Sequence, residues 1–379
     1  MSRPQPWESG SDFHWWRCRP GPQLPAPWAE GRLFGSGRDA LRALLQHGRT
    51  QRAWRRLWIP SYFCQEVAAA LLSVGLELRA YPDSPLQPPP DLGAIGAAPG
   101  DAVLALDYFG LGRAPAAAPP SRVEVIEDHT HDPWSAFAAH SRADWCVASL
   151  RKTLPLPAGG VLWSPRGHPL PPEAPVSAAR ETAALQKLAA MLLKGLYLDG
   201  RPVAKQAFRA LAVAGEEAIG AGEVSGLPPW VGELLAAFPT RRWRSQRARN
   251  HRALSRALAE APWVRVLQPV GAAGDVCPFS AILVLASPGL RSHLRQGLVA
   301  SSVYPAILWP LEHPVIAGVA KADLDLSRRL LSLHCDMRYG PEDISRIASL
   351  VLQLGRERRP AGEAAEKTPD TGVRTNQDR

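Results

Sequence analysis

The sequence predicts an α/β fold, a large domain with a mostly parallel sheet flanked by helices, followed by a small C-terminal α+β domain. Three observations predict it. Short apolar runs bounded by glycine or proline alternate with helical segments through residues 36–163, the pattern of βαβ units. A long helical stretch then ends at Pro228-Pro229. Beyond that break, shorter helix and strand signals recur, and a helix closes them. At 379 residues, two domains are the expectation.

Residues 1–30, rich in proline and tryptophan, read as an irregular segment. Ser36-Gly37-Arg38-Asp39 opens a helix with Ala40, Leu41, Leu44 and Leu45 on its apolar face, and Gly48 stops it. Leu57-Trp58-Ile59 is a strand punctuated by Pro60, Gln65–Ser73 is a helix, and Leu76–Ala80 alternates as a strand. Residues 82–100 form a loop. Ala102–Tyr108, Val123–Ile126, Trp145–Leu150 and Gly160–Trp163 supply further strands. One helical stretch covers Ala178–Ala221 and a basic helix covers Pro239–Ala259. Strands at Val264–Leu267, Phe279–Ala286 and Ser302–Pro305, with helices at Leu290–Val299 and Glu342–Leu354, build the small domain. The divisions are 1–30, a large domain at 31–235, a small domain at 236–358, and a polar tail at 359–379 expected to be disordered.

Composition is that of an ordinary globular protein, with 46% hydrophobic and 21% charged residues, which excludes a disordered or fibrous chain. Five scattered cysteines without metal-ligand or redox spacing predict reduced thiols in the cytoplasm and no metal site. The N-terminus lacks the apolar core of a signal peptide, and no apolar run approaches the roughly 20 residues of a membrane helix. The net charge of +9 is concentrated in Arg241–Arg252. No nucleic-acid motif accompanies that patch, so it reads as a solvated helix face, with nucleic-acid binding as the alternative. Lysine is scarce, six among 44 basic residues, so each can be weighed separately.

Three segments carry chemistry. Gly35-Ser36-Gly37-Arg38 leaves main-chain N–H groups free at a helix start, where the helix dipole also favours an anion. Asp128, in Val125–His131, follows a strand, where a helix cap is the simpler role. Lys152, in Ala148–Pro155 ahead of Gly159-Gly160, also follows a strand and has an amine able to form a Schiff base. In parallel sheets such strand ends share one crevice. An anion cradle, a carboxylate and a lysine together suit pyridoxal phosphate: its phosphate needs N–H donors, its ring nitrogen a carboxylate, its aldehyde an amine.

The sequence resembles the DegT/DnrJ/StrS aminotransferases, fold-type I pyridoxal-phosphate (PLP) enzymes, from about Trp7 to Leu354. The resemblance lies in Glu8–Phe13, Ser36–Ala40, Pro60–Cys64, Glu127–His131, Ser149–Lys152, Arg249-Asn250 and Cys335–Tyr339. It implies that Lys152 binds the cofactor and moves protons, that Asp128 pairs with the ring nitrogen, and that His131 lies near the phenolic oxygen. It implies further that Ser36, Gly37, Arg38 and Ser149 hold the phosphate and that Tyr62 or Phe63 stacks on the ring. Ser149 lies three residues before the lysine where the family has its serine five before. Arg338 reads either as a ligand for a substrate carboxylate or as an ion-pair partner, His129 as a turn cap, and Cys64 as a buried small residue. The implied activity is transfer of an amino group, from glutamate by analogy, to a keto group such as one on a nucleotide-linked sugar in polysaccharide or secondary-metabolite biosynthesis. The implied partners are small-molecule substrates and a second copy of the chain, with no nucleic acid and no membrane. The alternatives are a PLP-dependent elimination or racemisation, or a non-catalytic binding protein using the basic helix.

Overall fold

The computed structural model describes residues 6–15, 18–272 and 274–357; the expected tail at 359–379 lies outside them. Its first strand and helix, β1 (Ser9–Gly10) and α1 (Gly37–Gln51), flank β2 (Arg32–Phe34). Then come β3 (Arg56–Pro60), α2 (Gln65–Leu72), β4 (Glu77–Tyr81), β5 (Asp101–Leu106), β6 (Glu124–Asp128), α3 (Ala136–Ala139), β7 (Trp145–Ala148) and β8 (Gly160–Trp163). Helices α4 (Ala178–Leu198), α5 (Lys205–Gly220), α6 (Pro229–Ala237) and α7 (Thr240–Leu258) lead to β9 (Val264–Val266) and β10 (Ala281–Leu285). The chain closes with α8 (Pro288–Ala300), β11 (Val303–Tyr304), α9 (Lys321–Arg329), β12 (Leu330–Leu333) and α10 (Pro341–Glu357).

Seven strands form one sheet in the order β2-β8-β7-β6-β5-β3-β4. Strands β3 to β7 pair in parallel, and β8 runs antiparallel to both neighbours. Strands β5, β7 and β8 are buried at every residue, as expected of strands covered on both faces. Because β2 runs with the parallel set, six segments leave the sheet at one edge: those after β2, β3, β4, β5, β6 and β7. The smaller sheet is antiparallel, β12-β10-β9, and its core gathers Leu283, Leu294, Leu331 and Val351. Leu267 and Ile282 of the smaller sheet's region share a core cluster with Ile59 and Leu104 of the large one.

The expected helix over 178–221 is two helices. Gly200, at φ +78°, and Pro202 separate them, because proline supplies no N–H to continue a helix. The expected strand at 302–305 does not join the small sheet. It is β11, and it pairs in parallel with β1 from the N-terminal segment expected to be irregular. Strand β12, unmarked in the sequence reading, has an apolar run that continues α9 without a breaker. Among the described residues, no helix is long and apolar enough to cross a membrane.

Arg241–Arg252 is not a free face. Helix α7 turns Trp243, Arg247, Asn250 and His251 inward. Arg244 forks onto Asp132 at 2.9 and 2.7 Å, and Asn250 donates to the Tyr339 carbonyl at 2.9 Å. Arg241, Arg242, Arg249 and Arg252 remain exposed.

Candidate active site

The segments leaving the common edge of the large sheet surround a cavity of about 600 Å³. Its wall includes Ser36, Gly37, Arg38, Phe63, Asp128, His131, Ser149 and Lys152, eight of the nine residues singled out in the sequence. Tyr62 is the exception. Its ring is fully buried, and its hydroxyl donates to the Leu308 carbonyl at 2.6 Å. Phe63, one residue on, reaches the cavity and stands 6.3 Å from Trp309, ring centre to ring centre.

Lys152 ends a short turn after β7 and is accessible from the cavity. The positive charge of Arg151 and then burial lower its pKa from 10.5 to about 8. The neutral amine is therefore far more populated near neutral pH than that of an ordinary lysine. Asp128 closes β6, and its carboxylate accepts from Thr130 N–H at 2.8 Å. Burial raises its pKa, and among the described residues His129 is the one charge that counters this. A half-buried carboxylate so placed favours a cationic donor in the cavity.

His131 is buried and packs at a tilt among aromatic neighbours, its ring centre 5.0 Å from Phe279 and 5.8 Å from Trp309. Its Nδ1 accepts from Phe109 N–H at 3.1 Å, which places the proton of the neutral ring on Nε2. Burial lowers its pKa to about 4, so the ring stays neutral.

The anion cradle differs in one respect from expectation. Ser36 caps α1: its hydroxyl accepts from Asp39 N–H at 3.1 Å and donates to Asp39 Oδ2 at 2.9 Å. That hydroxyl proton is committed, so the first-turn N–H groups of Gly37 and Arg38 are what the helix presents to the cavity. Asp39 is itself locked by Arg180 at 2.9 Å. Gly37 packs on Ser149, and Gly160 packs on Ser36, where a β-carbon would meet the Ser36 carbonyl carbon at 2.2 Å. The glycines of the Gly159-Gly160 turn thus let β8 seat the cradle. Cys64 lines the cavity, and burial raises its thiol pKa, which keeps it protonated.

His129 does not cap the turn. Its Nε2 lies 3.0 Å from Glu127, which also accepts from Ser141 at 2.7 Å. Burial alone would lower its pKa, but its partners Cys146 and Glu127 raise it to about 10. Ligand atoms of Glu127, His129 and Cys146 lie within 4.8 Å of one another. Arg338 forks onto Asp336 at 2.8 Å through both Nε and Nη2, and its Nη1 donates to the Ser11 and Asp12 carbonyls. It is an ion-pair partner and anchors the N-terminal segment across the cavity. Lys194 holds the same segment, donating to Ser11 Oγ at 2.8 Å and the Asp12 carbonyl at 2.7 Å.

Residues of the wall missed in the sequence include Thr130, Lys187, Glu216, Phe279 and Trp309. Thr130 lies inside the Glu127–His131 segment and was within reach. The others sit up to 180 residues away, and no local pattern marks them.

No protein-family model matches the chain, and no curated protein matches it. Solved structures do. DesI, determined in the presence of its TDP-sugar product, is 19% identical, with 86% of this chain and 81% of that chain covered and a TM-score of 0.53. PseC of Helicobacter pylori, an aminotransferase of pseudoaminic acid biosynthesis, is 11% identical over 86% of each chain, with a TM-score of 0.54. A DegT DnrJ EryC1 StrS aminotransferase from Brucella abortus is 16% identical over 86% of each chain, with a TM-score of 0.51. The chain has their fold, the fold-type I architecture expected from the resemblance.

Proposed function

We propose that the protein is a PLP-dependent aminotransferase that aminates a keto group on a nucleotide-linked sugar. One observation carries this: a lysine of lowered pKa, Lys152, opens into the same cavity as the half-buried carboxylate Asp128 and the N-terminus of α1. The residues fit the cofactor. The ring nitrogen would supply the cationic donor that Asp128 favours, and the first-turn amides of α1 beside Ser149 suit a phosphate. When bound, the cofactor supplies an electron sink for bonds at the substrate's amine-bearing carbon.

This chain's residues do the rest. The Gly37 and Arg38 amides and the Ser149 side chain hold the phosphate. Asp128 keeps a proton on the ring nitrogen. His131, neutral and with its proton on Nε2, would donate towards the phenolic oxygen, and Phe63 would pack against the ring. Lys152 would hold the cofactor through Nζ and would take and return a proton at the same atom. The lysine disfavours a purely binding role, and the inward stripe of α7 disfavours one through the basic helix.

The same reading includes glutamate as amino donor, a role in polysaccharide or secondary-metabolite biosynthesis, a cytoplasmic location, and the domain division at residue 235. It also includes a homodimer, supported by the exposed Leu185, Leu192 and Leu196 on α4. The test is an absorbance spectrum after incubation with PLP, wild type beside Lys152→Ala. A visible band is expected in the wild type alone, lost on adding glutamate. No band in the wild type would sink the cofactor, and a band surviving in Lys152→Ala would sink the lysine. A band indifferent to glutamate but responsive to another amino acid would replace the donor.

A further inference from the structure

One charged cluster on the cavity wall gathers more side-chain charge than that chemistry uses. Glu216 of α5 accepts parallel hydrogen bonds from Arg151 Nη1 and Nη2, at 2.7 and 2.8 Å, and a third from Lys187 Nζ of α4 at 3.1 Å. Arg38 Nη2 of α1 stands 3.5 Å from the same carboxylate. All four side chains line the cavity.

The charges do not balance. Three cations meet one carboxylate, although the Arg151 and Lys187 side chains are only 8% and 9% accessible. Asp12 lies 3.5 Å from Lys187, but its side chain is 59% exposed, so water screens it. A network built only to pack α5 against the sheet would gain nothing from excess buried positive charge. Arg151 Nε is also buried without a hydrogen-bond partner, which leaves a donor unused in an otherwise saturated group.

We propose that Arg38, Arg151 and Lys187, gathered on Glu216, form a second anion subsite that takes the diphosphate of a nucleotide-linked substrate, resting on the aminotransferase reading for that substrate class. The subsite is separate from the phosphate cradle, which uses main-chain amides of α1 and Ser149. The cluster's net positive charge suits an anionic diphosphate, and guanidinium forks bind phosphate oxygens in pairs. Glu216 holds the cationic arms in place before the ligand arrives, so less side-chain freedom is lost on binding.

The test titrates thymidine diphosphate calorimetrically into the PLP-loaded full-length protein. Lys187→Gln is expected to weaken binding by about tenfold, the worth of one hydrogen bond to a charged group, whereas Lys187→Arg binds as the wild type does. Glu216→Gln removes the competing charge but keeps an acceptor oxygen, and is expected to tighten binding. All three variants are expected to keep the visible cofactor band, since Lys152 and the main-chain cradle remain. A packing role would weaken binding in both Gln variants, and that outcome overturns the subsite. So does a wild type that binds PLP but not thymidine diphosphate, or a loss of PLP affinity in Lys187→Gln that equals its loss of nucleotide affinity. A wild type that binds thymidine diphosphate but never PLP leaves the subsite standing and removes the aminotransferase.

Discussion

Gly37 begins α1 in direct contact with Ser149: a β-carbon on Gly37 would stand 2.8 Å from the Ser149 β-carbon. Two segments more than a hundred residues apart are held there without room for a methyl group. Gly37→Ala must push Ser149 and the helix start apart. Overpacking of this kind costs about 1–3 kcal/mol. PLP affinity, measured by absorbance titration, is expected to fall about tenfold, and an unchanged dissociation constant would refute the cradle.

Lys152 has its pKa lowered to about 8, chiefly by Arg151. A lowered value means the reactive neutral amine is gained as pH rises through about 8 instead of near 10.5. The rate of cofactor attachment should rise with pH and level off above about 8. Arg151→Gln removes the largest depressing charge, so the midpoint should move to higher pH. Stopped-flow absorbance at a series of pH values measures both, and a midpoint unmoved in the variant would dismiss the Arg151 effect.

Asp128→Asn keeps the shape of the side chain but cannot hold a proton on the ring nitrogen. The visible band should persist, since Lys152 remains. Turnover should drop by about 100-fold or more, the scale of one preorganised charge at a reacting site. Steady-state kinetics beside the absorbance spectrum separate the two effects. Wild-type turnover in this variant would remove Asp128 from the chemistry.

Asp336 and Arg338 are a buried pair, their side chains 5% and 2% accessible. Asp336→Ala leaves the guanidinium uncompensated, and such losses cost about 3–5 kcal/mol. Arg338 also holds the Ser11 and Asp12 carbonyls, so the N-terminal segment should loosen as well. Denaturant unfolding measures the first effect, and hydrogen exchange at residues 9–13 the second.

The candidate site was legible where its residues cluster in short segments at strand ends. Asp128 and His131 share one such segment, and Ser149 and Lys152 share another. Glu216 and Trp309 were not legible, because each reaches the cavity from an element that looks unremarkable along the chain. Tyr62 and Phe63 show the limit most sharply. Adjacent aromatic residues are equivalent in composition, and only the turn of the backbone after β3 sends Phe63 into the cavity and Tyr62 into the core.

The sequence by itself determined the βαβ rhythm, the strand-end positions of Asp128 and Lys152, and the glycine at the start of α1, since periodicity and turn chemistry are local properties. Tertiary structure alone decided that the N-terminal segment pairs with β11, that α7 turns part of its arginine-rich stripe inward, and that Arg151, Lys187 and Arg38 meet on Glu216. Those outcomes depend on contacts between residues far apart in the chain, whose free energy exists only once the sheets have packed.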